Sequence, residues 1–206
     1  MILFATSSKN NEGVVLGVEP QFLITAYKSG FFPMADSRFG SIRWYSPDRR
    51  AIIPINGFKI SRSLRQTINK NIFTVTADKA FGKVIKYCAD REDTWISEEI
   101  IASYLRLCEM GYAHSIESWK EDMLAGGLYG VSIGAAFFGE SMFSIVRDAS
   151  KVALVFLVDK LKKAGYELLD AQFMTPHLRR IGAVEISRTE YLERLYHAVR
   201  KKNSFK

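Results

Sequence analysis

Cysteine is scarce in this chain of 206 residues. Cys88 and Cys108 are the only two, they lie far apart, and neither sits in a CxxC pair. That pattern excludes a disulfide framework and a thiolate zinc site. Two buried free thiols suit a reducing cytoplasm, which is the expected compartment. Histidine is nearly as rare. His114, His177 and His197 have no metal-ligand spacing, so no metal is expected and each reads as structural or surface-exposed. Long apolar runs are missing too. The longest, Val152 to Val158, is far too short to span a bilayer. Met1 to Lys9 has no basic n-region and does not read as a signal peptide. There is no internal repeat and no low-complexity tract. No Ser/His/Asp or Cys/His constellation is evident. Membrane attachment is not expected.

What is present is ordinary in bulk and uneven in charge. The chain is 48% hydrophobic and 25% charged, which describes a globular protein long enough to bury a core without staples. The net charge is +7. Residues 1–70 hold ten Lys/Arg against four Asp/Glu, whereas residues 71–206 hold nineteen against eighteen. A basic lobe on a near-neutral body points to a polyanionic partner, nucleic acid before membrane.

The chain divides near residue 70. In the first part a helix is expected over Gln21–Lys28, ended by Gly30. Phe31-Phe32-Pro33 and Trp44-Tyr45-Ser46-Pro47-Asp48 are broken by proline and read as loops or edge segments. A short strand over Ala51–Ile55 follows, then a helix capped by Ser61 and running to Asn69. From residue 71 the rhythm is regular. Ile72–Thr76 reads as a strand and Lys79–Ala89 as a helix. Ser97-Glu98-Glu99 opens a second helix that Gly111 ends. Ala113–Trp119, Met123–Ser132 and Ala135–Gly139 form an antiparallel meander. Ser150 caps a helix over Lys151–Ala164, and Tyr166–Ala171 is a buried strand. Thr175-Pro176 starts a short helix ending at Gly182. After the strand Val184–Ile186, Ser187 and Glu190 form a capping box for the last helix.

That order is α+β in three layers. It resembles the acetyltransferase (GNAT) fold, a mixed sheet flanked by helices. In that fold two parallel strands splay into a V-shaped cleft. Here they are Ala135–Gly139 and Tyr166–Ala171. The expected division is a small basic lobe, 1–70, and a GNAT-like catalytic domain, 71–206.

Several motifs go beyond fold. They are Phe31-Phe32-Pro33-Met34, Trp44-Tyr45-Ser46-Pro47-Asp48-Arg49-Arg50, Gly139-Glu140-Ser141-Met142-Phe143-Ser144 and Leu169-Asp170-Ala171-Gln172. Trp95-Ile96, His114-Ser115-Ile116-Glu117 and Ala149-Ser150-Lys151 accompany them. Together they resemble the signatures of the leucyl/phenylalanyl-tRNA protein transferase family, from about Gln21 to the terminal helix. The resemblance implies that Leu, Phe or Met moves from aminoacyl-tRNA to a protein N-terminus beginning with Arg or Lys, marking it for degradation. It implies a monomer in the cytoplasm with no cofactor beyond the charged tRNA. The chemistry is aminolysis of an already activated ester. Orientation alone can supply roughly 7–11 kcal/mol for such a step, so no strong nucleophile is required.

The resemblance also implies roles. Asp170 and Gln172 would sit at the catalytic centre, both on one side of a strand end. Asp170 would orient Gln172 and stabilise the developing ammonium. Gln172 would bond the reacting amine or ester. Which group takes the proton stays open. Glu140 would hold an incoming amine. Leu128, Phe137, Met142, Leu154 and Leu157 would enclose the donor side chain, with Ser144 beside them, and Trp95 would stack on the terminal adenine. Arg62, Arg65 and Lys70 would bind tRNA phosphates. Two departures concern the acceptor. Arg147 stands where an acidic residue is common, and Arg179-Arg180 make the stretch after Gln172 more basic than is typical. If those arginines face the acceptor, Asp or Glu N-termini become the alternative. The lead segment Glu12–Glu19 is also shorter than usual. An acetyl-CoA-dependent acetyltransferase is a remote alternative, because Ser144 to Ser150 lacks the glycines of a pyrophosphate loop.

Overall fold

The computed structural model describes residues 18–205. Met1 to Lys9 and most of the Glu12–Glu19 segment lie outside the described residues. The chain folds as α1 (Pro20–Lys28), β1 (Phe32–Ala35), β2 (Ile42–Tyr45), β3 (Arg49–Ile52), α2 (Arg62–Asn69), β4 (Thr74–Ala77), α3 (Phe81–Ala89) and α4 (Glu98–Glu109). It continues as β5 (Ala113–Lys120), β6 (Met123–Ile133), β7 (Ala136–Ser144), α5 (Ala149–Lys163), β8 (Leu168–Asp170), α6 (Pro176–Arg180), β9 (Val184–Ser187) and α7 (Arg188–Ala198). The expected order of strands and helices after residue 71 is the order observed.

The caps are local and readable. Ser61 Oγ accepts from Leu64 N at 3.2 Å, Ser97 Oγ from Ile100 N at 3.3 Å, and Ser187 Oγ from Glu190 N at 3.2 Å. Each satisfies one of the first amides of a helix, which have no partner inside it. Ser150 is different. Asp148, in the left-handed region, precedes α5, and the Ser150 amide instead donates to Ser144 Oγ at 3.3 Å. The proline-broken aromatic segments are not only loops. Pro33 lies in β1, which pairs with β2 as a separate two-stranded ribbon. Proline is tolerated there because both strands are edges.

The larger sheet has seven strands in the order β4-β5-β6-β7-β8-β3-β9. Every pair is antiparallel except β7 with β8, which run parallel through Ala136↔Leu168, Phe137↔Leu169 and Phe138↔Asp170. β3 lies on the N-terminal side of the boundary expected near residue 70. It is nevertheless an internal strand of this sheet, between β8 and β9. One face carries α1, α3 and α4 over a core that includes Tyr27, Phe81, Tyr104 and Tyr129. The other face carries α5 over Leu128, Phe137, Leu154 and Leu157. Two glycines make the layers possible. A Cβ on Gly126 would sit 2.7 Å from Ala149 Cβ, and one on Gly130 would sit 2.2 Å from Phe138 O. Both demand bare backbone where α5 and β7 press on β6.

Candidate active site

The parallel pair comes apart beyond Phe138 and Asp170. β8 ends there, but β7 runs on to Ser144. Gly139 is therefore not the end of its strand. In the fork lies a cavity of about 360 Å³, a size that suits a small ligand group. Its wall has an apolar end formed by Leu128, Met142, Leu154, Leu157, Ile53 and Leu169. Glu140, Tyr129, Gln172 and Arg91 make the opposite end polar.

Glu140 reaches the fork through a β-bulge. Tyr129 pairs with Ser141 and Gly130 pairs with Gly139, which leaves Glu140 as the extra residue on β7. A bulge re-aims the side chain it inserts. The carboxylate meets three donors. Tyr27 Oη donates at 2.7 Å, Tyr104 Oη at 3.1 Å and Gln172 Nε2 at 3.1 Å. The Tyr27 and Tyr104 hydroxyls also touch each other. Burial pushes the Glu140 carboxyl up to about 7, against the downward pull of its hydrogen bonds with Tyr27 and Tyr104. Burial likewise raises both tyrosines well above their ordinary value, so they remain donors.

Asp170 is wholly enclosed. Its carboxylate accepts from Arg50 Nε at 2.8 Å and Nη2 at 2.5 Å, from Tyr191 Oη at 2.8 Å and from the Gln172 amide at 3.0 Å. The fork-to-fork pairing with arginine is the strongest geometry such a pair adopts. Arg50 is also buried, donates to Gly30 O at 3.3 Å, and lies between the Phe32 and Tyr191 rings at 4.4 and 4.5 Å. Burial alone would pull its guanidinium down. Asp170 more than reverses that.

Gln172 is not on the strand. Its φ of 55° is left-handed, a conformation that side-chain-bearing residues seldom adopt, and it follows the end of β8. The bond from its amide to Asp170 Oδ1 and the bond from Ala51 N to its carbonyl, 3.0 Å each, hold that turn. Asp170 thus orients Gln172 through the backbone, and Gln172 in turn meets Glu140.

The expected residues fall into three groups. Glu140, Gln172, Asp170, Leu128, Met142, Leu154, Leu157 and Trp95 all line the one cavity. Phe137 does not. It is buried in the same layer, where β7 and β8 are still paired, and is stacked on Phe205 at 5.3 Å. Ser144 is exposed outside, where it donates to Val146 O at 2.8 Å. Arg62, Arg65 and Lys70 are exposed on or beside α2. The basic trio does not converge on the cavity. Arg147 is exposed and nearest Asp148, while Arg179 and Arg180 line an outer groove with Glu185. Arg91, Arg50, Tyr27, Tyr104, Tyr129 and Tyr191 were given no site role from sequence, though Arg50 ends one of the signature motifs. The clearest overlooked signal was Arg50, a charge abutting the apolar run Ala51 to Ile55. Among the described residues no group of His, Cys, Asp and Glu is placed to hold a metal, and no helix is long and apolar enough to cross a membrane.

The sequence profile described as leucyl/phenylalanyl-tRNA protein transferase matches residues 52–196, and that of its N-terminal domain matches residues 18–48. This chain belongs to that family. A leucyl/phenylalanyl-tRNA protein transferase of Chlorobaculum parvum is 53% identical over 192 residues, 91% of this chain and 99% of its own. That of Chlorobaculum tepidum is 50% identical over the same shares. That of Salinibacter ruber is 51% identical over 180 residues, 87% of this chain and 80% of its own. Among solved structures, L-PGS from Bacillus licheniformis superposes with a TM-score of 0.47 at 10% identity. It covers 89% of this chain and 71% of that one, a likeness too loose to bear on function. The chain is thus an aminoacyltransferase by family. Residues 49–51, between the two matches, belong to β3, whose Arg50 reaches across to Asp170 in the fork.

Proposed function

We propose that this aminoacyltransferase moves Leu, Phe or Met from aminoacyl-tRNA to the N-terminal α-amine of proteins beginning with Arg or Lys, marking them for degradation. The observation that carries this reading is one cavity with an apolar end and a carboxylate end. The apolar end takes the donor side chain. The carboxylate end takes the amine that attacks the ester carbonyl carbon. Glu140 removes one proton from that amine. A base that titrates near 7 matches an α-amine whose ordinary value is roughly 8. The C–N bond forms, the ester C–O bond breaks, and the ribose oxygen leaves with the second proton, which the nitrogen sheds on becoming an amide. Gln172 bonds the reacting groups. Asp170, saturated by Arg50 and Tyr191, positions Gln172 and does not meet the amine itself. Trp95, half-buried on the cavity wall, stacks on the terminal adenine.

For the acceptor, the arginine trio offers no support for Asp or Glu. Glu140 favours a cationic N-terminal residue. Arg91 is the one arginine on the wall, and it donates to Met142 O. The deciding assay scans labelled aminoacyl-tRNAs against peptides with varied first residues. Leu, Phe and Met should transfer well, and Ile and Val poorly. Peptides beginning with Arg or Lys should outrun those beginning with Asp or Glu by tenfold or more. Equal rates for Asp peptides that fall with Arg91→Ala would overturn the acceptor assignment. Transfer from free leucine and ATP without tRNA would overturn the donor.

The proposed seat of the tRNA body is the basic surface of α2. Arg62, Arg65 and Lys70 point to solvent from α2 and its end, and α2 packs on α5, whose last turn adds Lys160, Lys162 and Lys163. Arg62→Ala with Arg65→Ala should weaken tRNA binding. The slope of log K against log salt should flatten by roughly 1.5, since each lost phosphate contact releases one counterion fewer. An unchanged slope would move the tRNA elsewhere.

A further inference from the structure

A second groove, of about 610 Å³, opens from the cavity. Arg91, Met142 and His177 line both. Its floor is aromatic. Tyr87, in the last turn of α3, stacks on Phe143 of β7 at 4.9 Å and 17°. Phe143 is buried and Tyr87 is 41% exposed, so one face of the phenol is covered and the rest opens on the groove. Covering Phe143 does not itself require a ring, because apolar burial has no directional demand.

The groove is cationic where it meets the cavity. Arg91 donates through Nη2 to Met142 O, and its guanidinium makes no other bond among the described residues. Its remaining N–H groups are free for a ligand. Arg38 Nη2 pins the backbone there, bonding Ala89 O at 3.0 Å and Arg91 O at 3.5 Å. Burial, and after it the charges of Lys151 and Arg180, hold the His177 imidazole below its ordinary value, so both cations act on the groove wall. Asp90 is the one carboxylate among the described residues on that wall. The groove also lies toward the basic surface of α2. Lys70 follows α2, and β4 starts soon after at Thr74, which pairs with Trp119. The neighbouring Ser118 donates to Ala149 O at 2.9 Å, and Ser150 lines the groove. The end of α2 and the groove therefore share one end of the sheet.

An exposed aromatic face, a cation at the junction and a second aromatic inside the cavity, Trp95, match one step of single-stranded nucleic acid. Stacking on an aromatic side chain accepts any base, and arginine suits the phosphate between two bases. We propose that this groove holds the nucleotide before the terminal adenosine of the donor tRNA, with its base on Tyr87 and the connecting phosphate on Arg91. This rests on the transfer reaction proposed above. The test pairs the parent protein and Tyr87→Leu, which keeps an apolar cover on Phe143, with two donors. One is intact phenylalanyl-tRNA. The other is the same tRNA with its penultimate base removed. Loss of the base should lower the parent's kcat/KM about ten- to a hundredfold. Tyr87→Leu should show the same loss on intact tRNA and no further loss on the abasic one, and Tyr87→Phe should behave as the parent does. Arg91→Gln should likewise lose nothing more when the connecting phosphate is replaced by a neutral methylphosphonate. A parent indifferent to the missing base would overturn the proposal. So would a Tyr87→Leu loss of equal size on both donors, an outcome that would give the groove to the acceptor chain. No transfer by the parent from intact phenylalanyl-tRNA would instead overturn the function on which the proposal stands.

Discussion

Arg50→Leu should lower stability by about 3–5 kcal/mol, because it strands the Asp170 carboxylate in the interior without its guanidinium. For a chain of this size that is a fall in melting temperature of roughly 10 °C or more. Asp170→Leu should do the same from the other side, leaving a buried cation between Phe32 and Tyr191. The two together are more informative than either alone. Replacing a buried ion pair by apolar groups of similar volume is often neutral for stability. The double variant should therefore recover much of the melting temperature and none of the turnover. In the proposed reaction turnover needs the Gln172 turn, and that turn is held by the bond from its amide to Asp170 Oδ1. Asp170→Asn, which keeps an acceptor there, should lower kcat more than it raises KM for tRNA. Thermal scans and steady-state kinetics on the parent and the four variants check this. A double variant that regains activity along with stability would show the ion pair to be structural only.

Glu140→Gln should lower kcat by about a hundredfold to ten-thousandfold, the usual loss when a positioned proton acceptor is removed. Tyr27, Tyr104 and Gln172 can still bond a neutral amide, so the fold should survive. In the parent protein kcat should climb as pH rises through about 7, because the carboxylate form does the work. In the variant that limb should vanish, leaving the titration of the acceptor amine near 8. Stability should move the other way. Folding raises the Glu140 carboxyl from 4.5 to about 7, so the native state holds a proton that the unfolded chain gives up. That contribution is complete below about 4.5 and is lost as pH rises through about 7. Against Glu140→Gln, the parent should lose relative stability across that window. A variant keeping a tenth of parental kcat, or a parental profile flat from pH 5.5 to 8, would remove Glu140 from the proton transfer.

How much of this was legible in advance depends on how local each signal is. The caps at Ser61, Ser97 and Ser187 were read from single residues, since a hydroxyl before a helix reaches an amide three positions on. The meander of β5, β6 and β7 followed from alternation and short turns. Leu128, Met142, Leu154 and Leu157 were placed together by resemblance, and the fork gathers them around one cavity.

Other features arise only when distant segments meet. Phe137 shares a strand and a face with Met142, yet it falls behind the cavity, because it lies where β7 and β8 are still paired, opposite Leu169. The setting of Glu140 is built by Tyr27 on α1, Tyr104 on α4 and Gln172 after β8. Arg50 looked like one more cation in a basic lobe. Insertion of β3 beside β8 turned it into the buried partner of Asp170. Arg147, Arg179 and Arg180, which would have favoured acidic acceptors had they faced the cleft, are exposed and line no part of the cavity.

The sequence by itself determined the order of elements after residue 71 and, through the resemblance its motifs carry, the family and eight of the residues that line the cavity. The elements are set by periodicity and caps, which act over a few residues, and the family by short motifs. Only the tertiary structure decided which charges are buried and where the carboxylate points. Burial and pairing depend on contacts across many residues of chain, and no local pattern encodes them.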